Sequence, residues 1–443
     1  MRVLYAACAL LLLASPDLSA ESAYEQLLQA APEQTRPRSE PAPLFEAVPV
    51  GLAEAPTRKA AGIGLSHSGD PFDIPHFSLR QIAGLLKEAG GTHYRPHLPL
   101  DEAVPEISAG TLEKLRRAGS DPALMDAMID ELARDGRWDR MDKLVDIFTG
   151  AGLELVLVTG AGYRKEAPRY ALPDGSLQRV SPDRVGRDVY IALVRWLTGA
   201  AVRRYGDRVE VWQVENEINI AQFCMRVGWR VNEKSWADAE FLKKLLAALA
   251  DTVHAEGRRM GRDLKTTHNF GTDVGWKDWV SKKSVDIGKD IGTFGVSSLD
   301  IVGVDVYANY FYGWPVHDER VGEVVSQTVE AADGRPVWVL ETGFPNGPGP
   351  RGFSEKRQAL YFRNGFDAAY AAGADVVLAF GWFWNPLGWY TDSPDPLPWW
   401  HPQAGEQHWS PIKLTPNPDG GTDIRFGKAW DEFVAAARRW VAD

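Results

Sequence analysis

The sequence holds only two cysteines, Cys8 and Cys224, and Cys8 falls inside an apolar leader. One cysteine in the rest of the chain excludes an internal disulfide and any centre built from several thiolates. Stability must then come from a large buried core, which a chain of 443 residues can supply. Long apolar runs are missing after residue 20, since no later stretch approaches the roughly 20 residues needed to cross a bilayer. Positive charge is short as well. With 49 Lys and Arg against 60 Asp and Glu, the formal net charge is −11, which points away from nucleic acid and anionic membranes as partners. Phosphate-cradling glycine patterns are also absent. GIGLSHSGDPF contains no GxGxxG, VTGAGYR contains no GxxxxGK, and no nucleophile elbow or Ser-His-Asp order is found.

Residues 1–20 (MRVLYAACALLLLASPDLSA) have the layout of an export signal: Arg2, an apolar core from Val3 to Ala14, and Ala20 as cleavage point. A secreted or periplasmic protein without a membrane segment after removal is the expectation, with a retained anchor as the alternative. Residues 21–58 are rich in Ala, Pro and Glu and read as a linker, with Glu21 to Ala31 as a helix candidate.

From residue 59 to 443 one domain is predicted. Strand-like runs begin near Gly62, Thr92, Leu153, Val209, Leu264, Leu299, Val337 and Asp375, and amphipathic segments lie between them. Met141, Leu144, Val145 and Phe148 share one helical face; Phe241, Leu242, Leu245, Leu246, Leu249 and Val253 share another. Ser181-Pro182 predicts a helix start. Eight strands alternating with helices predict an α/β fold of the closed (β/α)8 TIM-barrel type. A doubly wound open sheet is the competitor and normally carries the glycine-rich loop missing here. Asp101 to Gly136 reads as a helical insertion after the second strand. Asn385 to Asp419 reads as a Pro/Trp/Gly-rich loop before a final helix from Phe426 to Val441.

In such a barrel the active site lies at the carboxyl ends of the strands. Glu217 follows the run VEVWQV on the fourth strand, and Glu341 follows VWVL on the seventh. A carboxylate ending a buried strand is costly unless paired. Glycosidic cleavage needs two of them, one giving a proton to the leaving oxygen and one attacking the sugar or activating water. The competing reading is that either Glu is half of a structural ion pair.

Three segments resemble a known group. WQVENEIN (Trp212 to Asn219), VLETGFP (Val339 to Pro345) and LDIVGVDVYANYFYG (Leu299 to Gly313) are similar to the strand-four, strand-seven and strand-six motifs of clan A glycoside hydrolases. In wording, strands four and six come nearest to the arabinogalactan endo-β-galactanase family. The resemblance implies a retaining glycosidase with Glu217 as acid/base and Glu341 as nucleophile. It further implies that Asn216 bonds the sugar 2-hydroxyl, that Arg95 keeps Glu341 ionised and that Tyr307 orients it. His268 and Trp382 or Trp384 would line the subsite beside the cleaved bond. Ile218 stands where proline is usual after the strand-four Glu, and strand one lacks the galactanase acidic residue.

His67, His93 and His97 raise a metal reading, but His93 and His97 are four apart on a strand and cannot converge as they would on a helix. No metal or cofactor is expected, and His67 is read as a substrate contact. Seventeen Trp supply flat apolar faces. Those in Tyr310, Phe311, Tyr312, Trp314 and Trp389, Tyr390, Trp399, Trp400, Trp409 are candidate platforms for an extended poly- or oligosaccharide, or packing for the loops. The function expected is an endo-acting β-glycosidase, with a transglycosylase or a non-catalytic carbohydrate-binding barrel as alternatives.

Overall fold

The computed structural model describes residues 59–67, 72, 77–98, 100–160, 168–172, 174–219, 234–272, 287–307, 316–382, 399, 402–416 and 422–441. The leader at 1–20, the linker at 21–58 and Trp384 lie outside these residues, as do all the loop aromatics named above except Trp399 and Trp409.

Eight parallel strands close into a barrel: β1 (Gly62–His67), β2 (His93–Pro96), β3 (Glu154–Thr159), β4 (Val211–Val214), β5 (Lys265–Gly271), β6 (Ile301–Val306), β7 (Val337–Thr342) and β8 (Val376–Phe380). β8 pairs with β1, so the sheet has no open edge and the open-sheet alternative is excluded. Around it lie α1 (Leu79–Glu88), α2 (Ala109–Ala118), α3 (Pro122–Asp135), α4 (Asp139–Gly150), α5 (Arg187–Tyr205), α6 (Ala239–Arg259), α7 (Ile287–Phe294), α8 (Glu319–Ala331), α9 (Glu355–Ala371) and α10 (Lys428–Trp440).

Local sequence sets the helix ends. Ser78 caps α1 and exchanges bonds with Gln81, while Asp238 accepts the first free amides of α6. α6 turns Phe241, Leu242, Leu245, Leu246, Leu249 and Val253 to the barrel, and each such buried side chain contributes about 1.5–3 kcal/mol. The insertion after β2 is helical, as expected, and explains why α5 is buried nearly all round. α3 covers the outer side of α5: Trp196 donates to the Met128 carbonyl at 2.8 Å, and a Cβ at Gly199 would lie 2.7 Å from Ile129.

Ser181-Pro182 starts a helix as expected, a single turn at Pro182–Val185, because Gly186 (φ 93°) breaks the chain before α5. One expectation changes: the stretch read as a long loop from Asn385 to Asp419 holds a strand, Ile412–Pro416, which pairs antiparallel with Thr422–Phe426 just beyond it.

Strand register decides what faces the barrel axis. Val156, Val211, Ile301, Trp338, Leu340, Val376 and Leu378 form an apolar plug separate from the outer core. Above this plug, toward the carboxyl ends of β1, β2, β4, β5 and β6, the inner face carries Ser66, Arg95, Gln213, Asn269 and Asp305. The inner face therefore passes from an apolar floor to a polar layer at the carboxyl end.

Candidate active site

Arg95 is the hub of that polar layer. It is fully buried, and its guanidinium donates to Gln213 Oε1 (2.6 Å), Ser66 Oγ (2.6 Å), Glu341 Oε1 (2.7 Å) and Asn216 Oδ1 (2.8 Å). A buried guanidinium so completely paired presents its charge to a single carboxylate, Glu341.

The second oxygen of Glu341 accepts from the Tyr307 hydroxyl at 2.6 Å. Burial, and then the charge of Glu341, push the Tyr307 hydroxyl well above its usual range. It stays protonated and acts as a donor. Glu341 thus carries a donor on each oxygen, which fixes the direction of its carboxylate. Gly343 lets this corner close. Trp409 packs 5.4 Å from Tyr307 and 5.8 Å from Phe380, ring to ring, and a Cβ on Gly343 would sit 2.8 Å from the Trp409 indole.

Glu217 leaves β4 through a turn in which Glu215 (φ 58°) and Glu217 (φ 46°) both take left-handed backbone. Non-glycine residues there are strained by about 1–3 kcal/mol each and persist only where neighbours hold them. Two side chains of the polar layer do so. Gln213 Nε2 donates to the Glu215 carbonyl at 2.8 Å, and the Glu217 amide donates to Asn269 Oδ1 at 3.2 Å. Asn216, between the two Glu, accepts on Oδ1 from Arg95 and from Asn269, so the end it offers outward is its NH2 group.

The structure therefore gathers Arg95, Asn216, Glu217, Tyr307 and Glu341 at one end of the barrel. Other sequence candidates fall elsewhere. His268 is corrected: β5 runs on to Gly271, so His268 sits mid-strand, and alternation turns it outward while Asn269 takes the inner position. Its Nδ1 donates to the Val214 carbonyl at 2.8 Å and its ring meets Phe270 edge-on. Burial pushes the imidazole down to about 4. Trp382 is also corrected, since its indole packs against Phe362 of α9 and Trp430 and Phe433 of α10, behind the barrel. His67 is buried at the end of β1, but the β1 residue on Arg95 is its neighbour Ser66.

Sequence reading passed over Asn269 and Asp305. Both are fully buried polar side chains in otherwise strand-like runs, and their spacing puts them on the barrel's inner face. A polar residue at an inward position of a buried strand is the signal that would have found them.

Among the described residues no group of three or more His, Cys, Asp and Glu is arranged to hold a metal ion. His93 lies lower in the barrel, 3.2 Å from Glu154, while His97 bridges to Val158. Among the described residues no helix is long and apolar enough to cross a membrane.

Neither family models nor curated proteins match this chain. Solved structures do resemble it. A β-glucosidase from Pyrococcus furiosus superposes with a TM-score of 0.56 at 13% identity, over 87% of this chain and 96% of that one. An enzyme termed AHE from Alicyclobacillus herbarius gives 0.55 at 11%, over 87% and 99%. The β-glucosidase from Thermotoga maritima in complex with glucoimidazole gives 0.53 at 10%, over 88% and 100%. Identities this low establish the shared barrel, and the chemistry has to be read from the side chains.

Proposed function

We propose that this chain is a retaining β-glycosidase in which Glu341 is the nucleophile and Glu217 the acid/base. The observation that carries the reading is the clamp on Glu341. Arg95 and Tyr307 each donate to one of its oxygens, in a buried site at the mouth of the barrel. A nucleophilic carboxylate needs this kind of support: it must be ionised, fixed in direction and still able to form a bond.

In the first step a Glu341 oxygen attacks the anomeric carbon as the glycosidic bond breaks. Glu217 gives its proton to the departing oxygen. In the second step Glu217, now a carboxylate, takes a proton from water. The water oxygen displaces Glu341 from the anomeric carbon, and the starting configuration returns. The NH2 group of Asn216, oriented by Arg95 and Asn269, is the donor placed for the sugar 2-hydroxyl.

Two β-glucosidases among the barrels of similar shape make a β-linked sugar the class to test first. Endo action on a poly- or oligosaccharide remains part of the proposal, as do export by residues 1–20, a linker at 21–58 and a catalytic domain at 59–443. Transglycosylation uses the same pair, with an acceptor sugar in place of water, and a non-catalytic barrel would bind glycans without turnover.

The test is turnover of a panel of aryl β-glycosides and of β-glucans and β-galactans, with the first-formed anomer read by proton NMR. Release of the β-anomer supports the proposal. First release of the α-anomer overturns the double displacement, and glycan binding without turnover by an intact protein favours the binding barrel.

A further inference from the structure

Asp305 is a buried carboxyl that neither step above uses. It points into the barrel from β6, in register with Glu341 on β7. Its Oδ2 accepts from Asn269 Nδ2 at 2.5 Å, and its Oδ1 meets no hydrogen-bond partner among the described residues. Its backbone is fixed as well, because the Asp305 carbonyl accepts from the Thr272 hydroxyl at 2.5 Å.

The amide of Asn269 makes four contacts, and their polarity admits one orientation. Nδ2 donates to Asp305 Oδ2 and to Asn216 Oδ1; Oδ1 accepts from Gln213 Nε2 and from the Glu217 amide. Turning the amide over would set oxygen against the oxygens of Asp305 and Asn216, and NH2 against the donors of Gln213 and Glu217. Asp305 is the member of this set on the side away from β4, so its acceptor keys which way Asn269 faces. Asn269 Oδ1 in turn is what the strained Glu217 amide binds.

We propose that Asp305 is a positioning residue that, through Asn269, fixes the left-handed turn bearing Glu217 and so aims the proton donor. The proposal rests on the glycosidase reading for the role of Glu217, while the relay itself rests on the contacts. Burial, and then the charges of Glu341 and Glu217, push the Asp305 carboxyl well above its usual range. Asparagine has the same shape as Asp305 and can keep an oxygen turned toward Asn269 Nδ2.

The experiment compares Asp305→Asn, Asp305→Ala and Asn269→Ala on two aryl β-glycosides that the wild type accepts. One carries 2,4-dinitrophenol, which leaves without help, and the other carries phenol, which needs the acid. Both alanine variants should lose about 100-fold in kcat/KM on the phenyl glycoside, the usual contribution of general acid catalysis. The loss should be much smaller on the dinitrophenyl glycoside for Asp305→Ala, while Asn269→Ala should lose some activity there as well, because Asn269 also orients Asn216; Asp305→Asn should stay near wild type on both. Equal losses on the two substrates, or an Asp305→Asn variant as weak as Asp305→Ala, overturn the proposal.

Crystal structures of Asp305→Ala and Asp305→Asn give a readout that needs no activity. The alanine variant should break the Glu217–Asn269 contact and release φ of Glu217 from the left-handed region, while asparagine preserves both. An unchanged turn in the alanine variant overturns the relay. Wild-type failure on every glycoside would instead sink the glycosidase reading and leave the crystallographic comparison to decide the relay. Asn269→Ala breaks the same chain of contacts at its middle and replaces Asp305→Ala should that variant fail to fold.

Discussion

Leu340 and Glu341 are consecutive residues of one strand, yet both point toward the barrel axis. Leu340 belongs to the apolar plug and Glu341 meets Arg95. Regular alternation would send one of them outward. The register of β7 against β6 shifts between Val339 and Glu341, and against β8 between Val339 and Thr342. This bulge supplies the extra residue. It leaves Leu340 in the floor, aims Glu341 into the polar layer, and returns Thr342 to the outside, where its hydroxyl meets Tyr361 of α9.

Glu341→Gln should lower kcat by about 10³-fold or more on every substrate, whereas Glu217→Gln should do so by about 10²–10⁴-fold only where the leaving group needs a proton. Glu217→Gln should melt near wild type, whereas Glu341→Gln should melt lower, because it leaves the buried Arg95 guanidinium without its counter-charge and replaces one accepting oxygen by an NH2 group. Steady-state kinetics beside thermal melts check this. A Glu341→Gln variant with normal turnover would remove Glu341 from the mechanism.

Arg95→Leu should cost about 3–5 kcal/mol of stability, because it leaves Glu341 buried without its counter-charge and strips partners from Ser66, Gln213 and Asn216. Arg95→Lys keeps the charge but has no planar fork to reach four acceptors, so it should fall between. Combining Arg95→Leu with Glu341→Leu should recover part of the loss, since no charge is then stranded. Urea unfolding midpoints measure all three, and an Arg95→Leu variant as stable as wild type would contradict the hub.

Stability should depend on pH through His268. Its folded value is lowered to about 4, against an ordinary value of 6.5, so between these limits the unfolded chain binds the proton and the folded one does not. The imidazole therefore costs nothing above about pH 6.5, and stability falls on acidification toward pH 4 by about 1.4 kcal/mol per unit. His268→Asn can still donate to the Val214 carbonyl and cannot titrate. Urea midpoints from pH 7 to pH 4.5 should fall less steeply for the variant, and parallel curves would show that His268 is not the group responsible.

Gly343→Ala places a methyl 2.8 Å from the Trp409 ring and 3.3 Å from that of Tyr307. Trp409 is buried, and its carbonyl is bound by Gln358, so the Tyr307 side is where strain is relieved. The Tyr307–Glu341 bond should weaken and kcat/KM should fall about tenfold, equivalent to about 1.4 kcal/mol in the barrier. Tyr307→Phe combined with Gly343→Ala should then be no worse than Tyr307→Phe alone, which initial-rate measurements can establish.

The eight strands were legible because each is an apolar run between helical periods, and all eight begin within two residues of where the sequence places them. Glu217 and Glu341 were legible for a related reason, as carboxylates at the ends of such runs. What the sequence did not reveal was which way side chains face. His268 looked like a strand-end residue, yet three more strand residues and a period of two put Asn269 inside instead. Trp382 stands just past β8, where Gly381 (φ 74°) turns the chain and its ring is drawn into the aromatic layer of α9 and α10. Bulges and left-handed turns are settled by contacts between distant strands, and no local pattern announces them.

Ala60 pairs with Val441, and the Ala60 amide donates to the Trp440 carbonyl at 2.8 Å. Both ends of the described chain therefore meet where β1 begins, on the floor of the barrel, a full strand length from Arg95 and Glu341. Coupling the protein to a solid support at either of these ends would leave the mouth turned toward the solution. Large soluble glycans could then reach an immobilised preparation as freely as the dissolved one.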